Sequence, residues 1–195
     1  TTTLAAILAL LYFGMGRVPS SRPGVGQAAP EFTLPGLDGA AHSLADYLGE
    51  VVVLEWTDYS SPFVEKHYQS GNLPQLQDEY AAKDVIWLSV ATGKTADIEK
   101  LKKHPFAALT KVSATLLDAS GEVARSYGAR TTPHLFIIDR EGLLAYSGAI
   151  DSIRSSKIAD IERAESYLAA ALNAVTAGRE VADPVTRPYG TPLRY

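Results

Sequence analysis

Apolar positions change their spacing several times along this chain, and each change marks a predicted element. Val51-Val-Val-Leu-Glu-Trp56 is an almost unbroken hydrophobic run, the pattern of a strand covered on both faces, and Val85-Ile-Trp-Leu-Ser-Val90 repeats it. Between them, Pro62 to Ala82 reads as helix with an interruption at Gly71-Asn-Leu-Pro74, where proline is tolerated as the start of a new helix. Thr95 to Lys103 is predicted as a short charged helix capped by Thr95, and Thr115-Leu-Leu117 leads through the turn Asp118-Ala-Ser-Gly121 into a short helix, Glu122 to Tyr127. His134-Leu-Phe-Ile-Ile138 and Leu143-Leu-Ala-Tyr-Ser147 flank Asp139-Arg-Glu-Gly142, a hairpin signal with glycine where a positive φ is needed. Ile158, Ile161, Tyr167, Leu168, Ala171, Leu172 and Val175 recur at helical spacing, predicting one helix from Lys157 to Thr176 that ends at Gly178. A βαβ start, a hairpin and a closing helix predict an α/β fold, a central mixed β-sheet flanked by helices.

The two ends follow different patterns. Residues 4–16 form an uncharged apolar run, and a helix from Thr1 to Val18 would reach about 27 Å, the short end of a bilayer span. It is expected to be a membrane anchor helix (1–18), with an uncleaved signal segment as the alternative. Arg17-Val-Pro19 follows it in place of a small-residue cleavage site, which favours the anchor. Residues 19–29, rich in Pro, Gly and Ser, read as a linker, 30–178 as the folded domain and 179–195 as an extended C-terminal tail. The tail, Arg179 to Tyr195, holds Pro184, Pro188 and Pro192 with Tyr189 and Tyr195, too little to build a core. It is expected to lie extended, either in a neighbour's groove or as a strap across its own domain.

Charge and composition then narrow the chemistry. The 18 Lys+Arg against 22 Asp+Glu leave a net charge of −4, without the basic excess that neutralising phosphates requires, so nucleic acid is not an expected partner. There is no cysteine, which removes disulfides, thiolate metal sites and thiol catalysis together. His42, His67, His104 and His134 show no ligand spacing, and no metal or cofactor is expected. Gly24-Val-Gly26-Gln-Ala-Ala29 imitates a dinucleotide fingerprint but follows no strand, and Ala91-Thr-Gly-Lys-Thr95 imitates the end of a phosphate loop but has Leu88 where its first glycine belongs. Ser61 and His67 suggest a nucleophile and base, yet six residues place them about 240° apart on an ideal helix.

Several words in order, Ala29-Pro-Glu-Phe-Thr-Leu34, Asp38-Gly39, His42-Ser-Leu44, Glu55-Trp-Thr57, Ser61-Pro-Phe-Val-Glu-Lys-His-Tyr68 and Gly128-Ala-Arg-Thr-Thr-Pro-His134 before Phe136-Ile-Ile-Asp139, carry a resemblance. Over roughly Gln27 to Ala177 the chain resembles the thioredoxin-fold redoxin, or peroxiredoxin-like AhpC/TSA-type, family. The resemblance implies a thioredoxin-like sheet, a cis-proline at Pro133 preceded by Thr132, and a site at the start of the long helix. It also implies a reactive cysteine at Ser61, where a helix N-terminus would stabilise a thiolate, and a second one in the tail at Thr191. Val64 stands where a second helix cysteine would be.

Both positions lack sulfur. A serine alcohol is scarcely ionised near neutral pH and forms neither the sulfenate nor the disulfide that this chemistry passes through. Ser61, Glu55, Thr132, Pro133 and Thr191 are therefore expected to be a vestigial redox site, with Glu55 a half-buried acid hydrogen-bonded to neighbouring backbone. The tail departs from the family pattern over Thr191-Pro-Leu193, as natural divergence would. The expected function is a redox-inactive, membrane-anchored accessory subunit of a membrane protein complex, not an enzyme. It would be held through Thr1 to Val18 and by the Arg179 to Tyr195 tail. The alternative is a thiol-disulfide oxidoreductase or peroxiredoxin-like enzyme whose cysteines have been replaced. Arg17 and Arg22 after the anchor favour a cytoplasmic domain, whereas the resemblance implies the periplasmic side of a bacterial inner membrane, the placement expected here.

Overall fold

The computed structural model describes residues 23–194; the predicted anchor at Thr1 to Val18 lies outside them. Among the described residues no helix is long and apolar enough to cross a membrane. The strands are β1 (Thr33–Pro35), β2 (Ala41–Ser43), β3 (Val51–Trp56), β4 (Val85–Thr92), β5 (Ala114–Asp118), β6 (Thr131–Thr132), β7 (His134–Ile138), β8 (Leu144–Gly148) and β9 (Thr191–Pro192). The α-helices are α1 (Pro62–Gln69), α2 (Asn72–Ala81), α3 (Ile98–Lys103), α4 (Glu122–Tyr127) and α5 (Tyr167–Thr176).

The central sheet has the order β5-β4-β3-β7-β8, with β3, β4 and β5 parallel and β7 and β8 antiparallel to their neighbours. This is the thioredoxin-like arrangement. Strand alternation divides the core into two faces. Val51 and Val53 pack with Tyr68, Leu73, Trp87 and Leu172 on one side, while Val52, Leu54 and Trp56 pack with Val90, Tyr127 and Phe136 on the other. Every residue of β3 is buried, as its unbroken apolar run required, and each fully buried Leu or Val contributes roughly 1.5–3 kcal/mol of transfer free energy. The single acid in that strand, Glu55, is buried with the rest.

Several elements depart from their predicted form. The Lys157 to Thr176 helix is two pieces: a 3₁₀ segment Ile158–Arg163, then α5, for which Ser166 is the cap, accepting from Ala169 N. The break arises because Ser152 N donates to Glu165 O, Asp151 pairs with Ser166 and Leu168 N donates to Ile150 O, so the backbone of 165–168 is claimed by the segment that follows β8. The Thr95 cap is likewise replaced. Thr95 closes a 3₁₀ turn against Thr92, and Asp97 caps α3 by accepting from Lys100 N. On the linker side the chain is already paired with the hairpin from Gly26, whose N–H donates to Leu144 O, and Ala29 is buried.

Candidate functional site

The site forms where β3 ends. Asp58 makes a tight turn by accepting from Ser60 N and Ser60 Oγ, and Ser61 N donates to Asp58 O at 2.9 Å. Ser61 is the residue before the first turn of α1, and Pro62 occupies the position where its missing N–H costs nothing. A serine there ordinarily caps its own helix. This one does not: its hydroxyl donates to Thr132 O at 2.9 Å and contacts Thr191 Oγ1 at 2.8 Å. Since its only proton goes to the carbonyl, the Thr191 hydroxyl is the donor in the second contact. The Thr132-Pro133 peptide bond is cis, so the predicted cis-proline stands beside Ser61. The structure thus brings together Ser61, Thr132, Pro133 and Thr191.

Glu55 belongs to a different cluster. Its carboxyl accepts from Trp87 Nε1 at 2.8 Å, Tyr68 OH at 3.2 Å and Gln77 Nε2 at 3.3 Å, all within the core against α1 and α2. It is fully buried, not half-buried, and these donors are side chains in place of the neighbouring backbone expected from the sequence; burial raises its carboxyl above the usual range, opposed by these hydrogen bonds. Ser61 and His67 do not pair. Asn72 Nδ2 lies 2.8 Å from His67 Nδ1, and His67 Nε2 faces Asp151 Oδ2 at 3.6 Å. Burial, helped by the neighbouring Lys66 charge, lowers the His67 pKa to about 3, so the ring is neutral near pH 7.

The tail closes the site. It takes the strap course, with Ser147 N donating to Pro184 O, Thr186 N to Ser147 O and Leu193 N to Arg130 O. β9 then pairs antiparallel with β6 at the cis-proline edge. Two glycines allow this approach. A Cβ on Gly190, whose φ is +151°, would collide with Thr132 O, and one on Gly148 would collide with Thr186 Oγ1.

Tyr189 locks the strap in place through residues that sequence reading missed. Its hydroxyl accepts from Lys66 Nζ at 2.9 Å and donates to Asp151, which also takes Lys66 Nζ at 3.3 Å. Lys66 and Asp151 are both buried, so the tyrosine completes the coordination of an ion pair that water does not reach. The proline-rich tail composition gave no hint of this seat, and a lysine on a helix is ordinarily read as solvent-facing.

Residues 25–147 match the AhpC/TSA family, over more than half of the chain. The chain belongs to that family. A thiol-disulfide oxidoreductase ResA of Geobacillus thermodenitrificans is 32% identical over 120 residues, which cover 60% of this AhpC/TSA chain and 65% of the relative. The match therefore spans just under two thirds of that protein's length. Among solved structures, a putative thiol:disulfide interchange protein DsbE from Chlorobium tepidum superposes with a TM-score of 0.53 at 29% identity, covering 64% of this chain and 84% of its own. A hypothetical protein from Sinorhizobium meliloti superposes with a TM-score of 0.72 at 25% identity over 90% of this chain and 97% of its own. Within the AhpC/TSA family this member has no cysteine at all, and its helix-start position holds two alcohols in contact. Among the described residues the Ser61 hydroxyl is held by Thr132 O and Thr191 Oγ1, so the tail fills the position beside the cis-proline.

Proposed function

We propose that this chain is a redox-inert thioredoxin-fold module that serves as an accessory subunit of a membrane protein complex. In this reading Thr1 to Val18 tethers it to a bacterial inner membrane with the domain on the periplasmic side. The observation that carries the reading is the Ser61–Thr191 contact, two hydroxyls at 2.8 Å under the tail, in a chain without cysteine. A scaffold whose site is filled by its own tail offers its outer surfaces for binding. A tether raises the effective concentration of such a surface at its partner, so that a weak contact persists. Small residues in the N-terminal run, Ala5, Ala6, Ala9, Gly14 and Gly16, are of the kind that lets helices approach closely in lipid.

Fractionation tests this reading. The full chain should be recovered in the membrane fraction and co-purify with an integral membrane subunit after mild detergent extraction. A variant lacking residues 1–18 should move to the soluble fraction with its melting temperature unchanged. Recovery of the full chain as a soluble species processed near Ser20, with no membrane subunit attached, overturns it. The second reading, an oxidoreductase whose cysteines have been replaced, draws support from the names of the relatives and is addressed by cysteine restoration below.

A further inference from the structure

The seat of Tyr189 is built to take one kind of side chain. Lys66 Nζ and the Asp151 carboxylate meet its hydroxyl from two sides, so the group that fits must accept from an ammonium and donate to a carboxylate at once. A phenol does both. A carboxylate would bring a second anion to Asp151, an ammonium or guanidinium a second cation to Lys66, and a phenyl ring would leave the bridge between these buried ions unmade. Other donors are committed or too far: Ile153 N already donates to Asp151 at 3.0 Å, and His67 Nε2 stands 3.6 Å from the carboxylate with no hydrogen-bond partner among the described residues. The ring has a wall of its own, since Phe63 lies edge-on to it with centroids 6.0 Å apart and Lys66 Nζ sits 5.2 Å from its centroid. The following residue is specified too, because a Cβ on Gly190 would collide with Thr132 O. Of Arg187, Pro188, Tyr189 and Gly190, the tyrosine alone hydrogen-bonds to the domain among the described residues, and residues 179, 180, 182 and 183, which lead into the strap, are exposed.

We propose that Lys66, Asp151 and Phe63 form a recognition socket for an extended segment that carries tyrosine followed by glycine. The tail occupies the socket in the resting chain as a latch, and a Tyr-Gly segment of the partner subunit takes it in the assembled complex. The identity of the competitor rests on the accessory-subunit reading; the selectivity of the socket does not. Its chemistry is already displayed by the occupant in place, whose hydroxyl, ring and following glycine each meet a matching group. Covalent attachment gives the tail a high effective concentration at the socket, so the latch stays shut against dilute peptides and yields to a segment that is itself held nearby. A subunit sharing the bilayer with a tethered chain meets that condition.

Two measurements on the full-length chain test the socket and its exchange. The double variant Tyr189→Phe/Gly190→Ala strips the tail of both recognised features and leaves the socket intact, so it should bind a fluorescent peptide with the sequence of residues 183–195. Peptides with Phe for that tyrosine or Ala for that glycine should bind it about tenfold more weakly or worse, and the wild-type chain, its latch shut, should bind the unaltered peptide about tenfold more weakly than the double variant does. Three peptides of equal affinity, or none that binds, overturn the socket. A photoreactive benzoylphenylalanine in place of Phe63 then reports the occupant. In the purified chain it should cross-link to the tail around residues 187–190, and in native membranes to a partner segment in which peptide mass mapping finds Tyr-Gly. Cross-links to the tail alone in native membranes, or to a partner segment without that pair, overturn the exchange. If no membrane subunit co-purifies, the accessory reading and the exchange fall together, while the peptide series still decides the socket.

Discussion

Replacing Ser61 and Thr191 together by cysteine should produce a disulfide that forms in air, because the two hydroxyl oxygens already touch at 2.8 Å. Two sulfurs need to come to about 2.05 Å, a small adjustment from side chains in contact on a docked strap. The bond would close a separation of 130 residues. Restricting so long a loop in the unfolded chain stabilises the fold by roughly 5 kcal/mol relative to the reduced form when little strain is introduced. Mass spectrometry of the non-reduced double variant should show the loss of two hydrogens, and denaturant titration with and without reductant should show the gain. Two freely titrating thiols in the native double variant would mean that the tail is not seated where the structure places it. Steady turnover of a disulfide substrate by the oxidised and re-reduced variant would favour the second reading, an enzyme scaffold short only of its sulfur.

Removing the buried acid of the central strand should produce the second large effect. Glu55→Ala takes the acceptor away from Trp87 Nε1, Gln77 Nε2 and Tyr68 OH at once and leaves a void in a dry core. Orphaned donors plus the cavity should cost roughly 4 kcal/mol of stability, visible as a lower denaturation midpoint. The pH dependence identifies the charge. Burial raises the Glu55 pKa in the folded state, so with rising pH the unfolded chain releases this proton before the folded one does. Native protein then binds more protons, and stability falls as pH climbs from the ordinary carboxylate range toward the raised value. Below that range the contribution is fully present. Glu55→Gln should flatten this decline. A stability difference, wild type minus the Glu55→Gln variant, that instead rises with pH would contradict the buried-acid assignment.

Much of this architecture was legible because the signal was local. The β3 run at Val51–Trp56 needs burial on both faces, and the sheet provides it. The hairpin around Asp139 to Gly142 follows from its turn residues, with Gly142 at φ +78°. Ser61, Thr132, Pro133 and Thr191 could be placed together only through the family resemblance, since 130 residues separate the outer pair and no periodicity relates them. What stayed illegible is relational. Lys66 looks like any helix lysine until Asp151 and Tyr189 arrive from the end of the sheet and from the tail. The helix over Lys157 to Thr176 has sound apolar spacing, yet the backbone at 165–168 bonds to residues 150–152 after β8 in place of continuing the helix. Short strands β1 and β2 carry too few residues for an alternating pattern to show.

In the proposed function the thioredoxin-fold scaffold is kept without its redox chemistry. The most direct measurement is turnover by the purified full-length chain, followed both as hydrogen peroxide consumption and as reduction of insulin disulfides in the presence of dithiol. The account predicts rates equal to buffer in both assays, unchanged in Ser61→Ala. A rate well above buffer that Ser61→Ala abolishes would contradict it.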